Sequence, residues 1–181
     1  MSTYAAFLRG MNVGGHRISN DELRAHFERL GCGEVRTFRA SGNMIFTAAG
    51  KESERELGAR IEAGLAAALG YEVAVFLRDA REIRTIAAHR PFADSLIEAS
   101  KGKLQVVMLA APPTARARKQ ALALASDEDR LAFGERELFW LPSGGILDTA
   151  LDFKSIGALL GSTTTRTKGT VDGLAAKYFS A

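Results

Sequence analysis

The stretch Val35-Arg-Thr-Phe-Arg-Ala-Ser-Gly-Asn-Met-Ile-Phe-Thr47 decides the fold. Two strand-prone runs, Val35 to Ala40 and Asn43 to Thr47, flank Ser41-Gly42. Glycine supplies the positive φ that a tight turn needs, so this spacing predicts an antiparallel hairpin. Upstream, Tyr4 to Arg9 reads as a short strand ended by the glycine-rich loop Gly10-Met-Asn-Val-Gly-Gly15. Ser19 and Glu22 then stand at capping-box spacing, and Leu23, Phe27 and Leu30 recur at helical spacing until Gly31. Downstream, Ser53 and Glu56 repeat the capping pair, and Leu57, Ile61, Leu65 and Leu69 form a stripe ended by Gly70. A strand from Val73 to Leu77 follows. Residues 1–78 therefore read βαββαβ, the ferredoxin-like pattern within the α+β class, with both helices on one sheet face and strand order 4-1-3-2.

Beyond this half, Asp79 and Glu82 start a short helix through Ala88, His89-Arg-Pro-Phe92 breaks it, and a second short helix runs to about Ser100. Lys101-Gly102 reads as a linker, so 79–102 is expected to be a helical connector. From Leu104 the pattern restarts: strand 104–110, helix 114–125, strands 130–133 and 137–141, and helix 151–160. Residues 103–181 thus read as a second, degenerate ferredoxin-like half, which points to an internal duplication. Its Thr-rich stretch 161–167 leads to a last helix carrying Val171, Leu174, Ala175 and Tyr178, with no obvious fourth strand.

Composition narrows the class. Of 181 residues 46% are apolar, 24 Lys+Arg face 21 Asp+Glu, and the single cysteine is Cys32. That excludes a disordered chain and a disulfide scaffold. A net charge of +3 falls short of the dense basic stripe of a dedicated nucleic-acid binder. The apolar stretch within Met1 to Gly10 is too short for a signal peptide, and no segment approaches the ~20 apolar residues of a membrane span. A cytoplasmic protein is the expectation.

Antiparallel pairing of the first and third strands brings the end of one beside the start of the other. Arg9, Gly10, Asn12, Gly14 and Gly15 should then share one pole with Ser41, Gly42 and Asn43. Glycine lets backbone N–H groups approach a ligand, successive N–H groups form a nest, and arginine meets phosphate or carboxylate bidentately. The pole suits a small anionic metabolite or a nucleotide; equally, the same residues can do no more than build tight turns capped by Asn12 and Asn43. The spacing matches neither GxxxxGK[ST] nor GxGxxG. Arg166, in Gly161-Ser-Thr-Thr-Thr-Arg-Thr-Lys-Gly-Thr170, stands in a second polar segment just ahead of a helix start, where anions are also stabilised; the same segment reads more readily as a Ser/Thr cap with exposed basic side chains.

Other chemistry finds little footing. His16, His26 and His89 are scattered without ligand spacing, Ser41 has no partner base in a recognisable motif, and Cys32 reads as a small turn residue. The catalytic residues are unknown from sequence, and neither a metal nor a cofactor is indicated. Asp127-Glu128-Asp129 reads as a solvated turn. Nucleic acid is the rival partner class: Phe139 and Trp140 fall on opposite faces of their strand, which offers one of them to solvent, and Arg116, Arg118 and Lys119 form a basic helix stretch. The strand 43–47 lacks the RNA-recognition pattern, however. A self-associating structural protein, such as a homodimer, is the third reading.

The segments Phe7-Leu-Arg-Gly-Met-Asn-Val-Gly-Gly15 and Thr37-Phe-Arg-Ala-Ser-Gly-Asn43, together with the Arg-Pro-Phe92 break, resemble the bacterial domain-of-unknown-function family 1697. The resemblance implies a two-part α+β protein of ferredoxin-like topology with no settled biochemical function. Arg9, Gly10, Asn12, Gly14 and Gly15 match the family loop, and Ser41, Gly42 and Asn43 its second turn. Near the end, Thr164-Thr-Arg-Thr-Lys-Gly-Thr-Val171 is similar to the family's Thr-x-Arg-Asn-Trp-x-Thr-Val segment at Arg166, Thr170 and Val171. Thr167 and Lys168 stand in for the usual Asn and aromatic, so the resemblance carries no stacking residue over to this position.

Overall fold

The computed structural model describes residues 1–12, 14–39 and 42–180. The chain divides into two compact units, Met1–Arg84 with Tyr178–Ala181, and Thr85–Lys177.

In the first unit, strands β1 (Ser2–Arg9), β2 (Gly33–Thr37), β3 (Asn43–Ala48) and β4 (Ala74–Asp79) form an antiparallel sheet in the order β2-β3-β1-β4. Helices α1 (Asn20–Arg29) and α2 (Glu54–Leu69) start at the two expected capping boxes. The Glu22 N–H donates to Ser19 Oγ at 3.2 Å while the Ser19 N–H donates to Glu22 Oε2 at 2.8 Å. Leu23 and Phe27 of α1 and Leu57, Ile61 and Leu65 of α2 share one core with Ala6, Leu8, Met44, Phe46 and Leu77 of the sheet. Each Leu, Ile, Phe or Met side chain among these contributes about 1.5–3 kcal/mol by leaving water, which outweighs the few tenths that helix propensity decides per residue. Helix α3 (Ala80–Ala88) follows β4 directly, and Asp79 and Glu82 cap each other through reciprocal backbone bonds of 2.8 and 3.0 Å.

β4 ends its sheet, and three of its outward polar groups are met by side chains. Leu8 uses its N–H on β3, so the Leu8–Val75, Ala6–Leu77 and Tyr4–Asp79 pairs are the wide, unbonded ones of the β1–β4 ladder. The Val75 N–H donates to Glu62 Oε1 at 2.8 Å, the Asp79 N–H to Glu82 Oε2 at 3.0 Å, and Arg78 Nη1 donates to the Leu77 carbonyl at 2.7 Å.

The second unit contains α4 (Asp94–Ala99) and a sheet of β5 (Gln105–Leu109), β6 (Asp129–Phe133), β7 (Glu137–Pro142) and β8 (Thr163–Thr167) in the order β6-β7-β5-β8. Helix α5 (Ala115–Leu122) joins β5 to β6, and α6 (Phe153–Leu160) precedes β8; α7 (Lys168–Tyr178) closes the chain. The described residues thus hold two four-stranded antiparallel sheets and seven helices, a mixed α+β architecture. Counted within its own unit, each sheet runs 4-1-3-2. Val107, Leu109, Leu131, Leu138, Trp140 and Ile156 form the second core.

Four expectations need correction. The second half is not short of a strand: Thr163–Thr167 is β8, paired along β5 from Gln105–Thr167 to Leu109–Thr163. A run of threonines carries no apolar alternation, yet β-branching favours extended backbone and β5 supplies the bonding partner. The hairpin is also wider than a two-residue turn. β2 ends at Thr37, Arg39 takes φ +58°, and the Phe38 N–H reaches the Asn43 carbonyl at 3.0 Å. Phe139 and Trp140 are both buried, at 1% and 2% exposure, because His89 covers one and Phe153 the other. Asp129 is not in a solvated turn: it is buried, because the Trp140 indole N–H on the neighbouring strand requires an acceptor.

Candidate functional site

The β1–β3 ladder assembles the pole. Phe7 faces Asn43, and the Leu8 N–H donates to the Gly42 carbonyl at 2.8 Å. On the other side of β1, Arg9 faces Ala74 at the start of β4. The loop after β1, the turn before β3 and the approach to β4 therefore meet at one end of the first sheet.

Two glycines there are required by geometry. Gly42 sits at φ +72°, and a Cβ on it would stand 2.9 Å from Leu8 Cβ and 3.5 Å from Met11 Cε. Gly10 sits at φ +89°, where a Cβ would stand 3.1 Å from the Glu72 carbonyl oxygen. Left-handed backbone and close packing together exclude any other residue without rearrangement. Gly14 and Gly15 are left-handed in succession and exposed, with open space where a Gly15 side chain would be.

The amides serve the turns. Asn43 is 3% exposed and its Nδ2 donates to the Phe38 carbonyl at 3.0 Å, tying the first residue of β3 back across the turn. Asn12 is exposed, and its Oδ1 accepts the Ile18 N–H at 3.4 Å across the loop. Arg9, the last residue of β1, is exposed. Ser41 lies outside the described residues. The structure thus brings Arg9, Gly10, Asn12, Gly42 and Asn43 to one end of the sheet, with Gly14 and Gly15 in the loop between β1 and α1.

Arg166 belongs to the second unit, on β8 opposite Val106. Its Nη1 donates to Thr164 Oγ1 at 2.9 Å and to the Thr165 carbonyl at 2.8 Å. Burial pulls its guanidinium down to about 10, still charged at neutral pH. The hydroxyls of this segment support the chain: Thr167 Oγ1 accepts the Thr170 N–H at 3.2 Å at the start of α7.

Sequence reading missed two residues of the pole. Tyr71 donates its hydroxyl to the Met11 carbonyl at 2.9 Å, and His16 lies against the Tyr71 ring with centroids 4.5 Å apart. The available signal was topological: in the 4-1-3-2 order the residues before the fourth strand adjoin the end of the first. Among the described residues no group of three His, Cys, Asp or Glu side chains is gathered to hold a metal. Cys32 is buried, and burial pushes its thiol up to about 11, away from nucleophilic use.

Two units, each with one four-stranded antiparallel sheet, and a glycine-rich loop at the end of the first strand define a bipartite α+β protein. The chain belongs to the family described as Protein of unknown function (DUF1697), whose model matches residues 1–139. It is similar to a solved structure, that of conserved bacterial protein SP0830 from Streptococcus pneumoniae, at a TM-score of 0.72 and 18% identity over 97% of each chain. At that identity the likeness is one of fold. No curated protein matches the chain. No helix of the described residues is long and apolar enough to cross a membrane.

Proposed function

We propose that the protein binds a small phosphate- or carboxylate-bearing ligand, a metabolite or a nucleotide, at the pole formed by Arg9, Gly10, Asn12, Gly14, Gly15, Gly42 and Asn43. The supporting observation is the Leu8–Gly42 backbone bond of 2.8 Å, which sets the glycine loop and the second turn side by side next to exposed Arg9. Arg9 supplies charge, and the left-handed Gly14-Gly15 backbone supplies N–H groups unobstructed by Cβ atoms. Ser41 adds a hydroxyl in this reading, and Arg166 is a second anion contact of its own unit. Any catalysis at the pole would be electrostatic positioning of the bound anion.

We read each unit as ferredoxin-like and the pair as the product of internal duplication, supported by the shared 4-1-3-2 order. We place the protein in the cytoplasm, in keeping with its single, buried thiol.

The test is a thermal-shift panel of phosphorylated metabolites, carboxylates and nucleotides on the wild type and Arg9→Ala. Ligand at 100 times its dissociation constant adds about 2.7 kcal/mol, a midpoint rise of about 5–10 °C for this length. A rise in wild type that is lost in Arg9→Ala is expected. Equal rises in both proteins, or none in either, would reject the site.

A further inference from the structure

Beside the glycine loop the first unit holds a ring pair that the recognition of an anion does not use. The His16 and Tyr71 rings pack in a tilted arrangement, with centroids 4.5 Å apart and planes inclined by 30°. Tyr71 is held by its hydroxyl bond to the Met11 carbonyl, and Met11 is buried against Gly42. The supporting ring is therefore anchored on the same backbone that shapes the pole. His16 is exposed, and a Cβ on Gly14 would stand 3.9 Å from its Cδ2. The imidazole thus borders the Gly14-Gly15 turn, with one face against Tyr71.

We infer that the ligand of this pole is a nucleoside monophosphate whose base stacks on His16 while its phosphate meets Arg9 and the glycine turn. The inference rests on the anion reading and narrows it. A sugar phosphate or a small carboxylate has no use for a planar π surface at this border, whereas every nucleobase has a π face that stacks on an aromatic ring. Backing by Tyr71 holds the imidazole in place before the ligand arrives, so less ordering is lost on binding. Stacking of one base contributes about tenfold to a hundredfold in affinity.

The experiment is calorimetric titration of AMP, GMP and ribose 5-phosphate into the wild type, His16→Ala, His16→Phe and Arg9→Ala. In the wild type at least one nucleotide is expected to bind about tenfold or more tightly than ribose 5-phosphate. His16→Ala should erase that margin and leave the ribose 5-phosphate affinity unchanged; His16→Phe, which keeps a ring on Tyr71, should retain it. Arg9→Ala should weaken all three ligands. Equal affinity for nucleotides and ribose 5-phosphate, or a margin that survives in His16→Ala, overturns the nucleotide assignment while the anion site stands. Failure of all three ligands to bind overturns the nucleotide assignment, and the anion site then stands or falls with the thermal-shift panel. A short single-stranded oligoadenylate that binds far more tightly than AMP, with steep salt dependence, would overturn the mononucleotide assignment in favour of nucleic acid.

Discussion

The indole Nε1–H of Trp140 donates to Asp129 Oδ1 at 2.8 Å, and Thr149 Oγ1 meets the same oxygen at 2.6 Å. Asp129 is 4% exposed, so its carboxylate has exchanged water for these two donors. Asp129→Ala strands a buried indole N–H and opens a small void. The expected loss is about 2–4 kcal/mol, near the upper end for a charged hydrogen bond. Trp140 is the only tryptophan in the chain, so urea denaturation followed by its fluorescence reads the transition directly. A loss under about 0.5 kcal/mol would show that the carboxylate contributes nothing there.

Gly102 is buried, and a Cβ on it would stand 2.4 Å from both the Gly144 carbonyl oxygen and Pro142 Cγ. Neither neighbour can swing aside as the tip of a long side chain would. Gly102→Ala should therefore destabilise by about 1–3 kcal/mol net of the roughly 0.4–1 kcal/mol gained by limiting the unfolded chain. Differential scanning calorimetry should show a lower midpoint for the variant; an unchanged or raised one would contradict the packing.

Cys32 titrates higher in the folded protein than in the unfolded chain, because burial disfavours its thiolate. A raised acid binds more protons folded than unfolded, so its stabilising contribution is complete below about pH 8.5. It is lost as pH rises towards about 11. Stability measured between these limits should fall less steeply in Cys32→Ala than in wild type. Matching slopes would place the thiol in contact with water.

Tyr71→Phe removes the bond to the Met11 carbonyl while keeping the ring against His16. A loss of about 0.5–1.5 kcal/mol is expected. Backbone amides of the 10–18 loop should exchange faster with deuterium, with amides of α2 unaffected. Unaltered loop exchange would mean that the tyrosine does not restrain it.

How much of this was legible depended on range. The capping boxes of Ser19 and Ser53 involve residues three apart, and both formed as read. The meeting of the end of β1 with Gly42, through Leu8, followed from strand order alone, since an antiparallel ladder fixes which ends adjoin. What escaped depended on distant partners. β8 is recognisable through its backbone bonds to β5, not through its own threonines. Asp129 looks like surface until Trp140 arrives on the next strand, and His16 looks solitary until Tyr71 lies beneath it. Gly102 resembled a linker residue because nothing nearby in the chain announces Pro142.

The side-chain bonds along the outer edge of β4 bear on handling the protein at high concentration. An open strand margin is a template on which a second chain can add, the first step towards domain exchange and fibrils. On β4 the outward Val75 and Asp79 N–H groups are already engaged by Glu62 and Glu82, and the Leu77 carbonyl by Arg78. Charge stationed at that margin obliges a strand recruited there to displace a carboxylate or guanidinium at Val75, Leu77 and Asp79, which disfavours addition on the β4 side of the sheet.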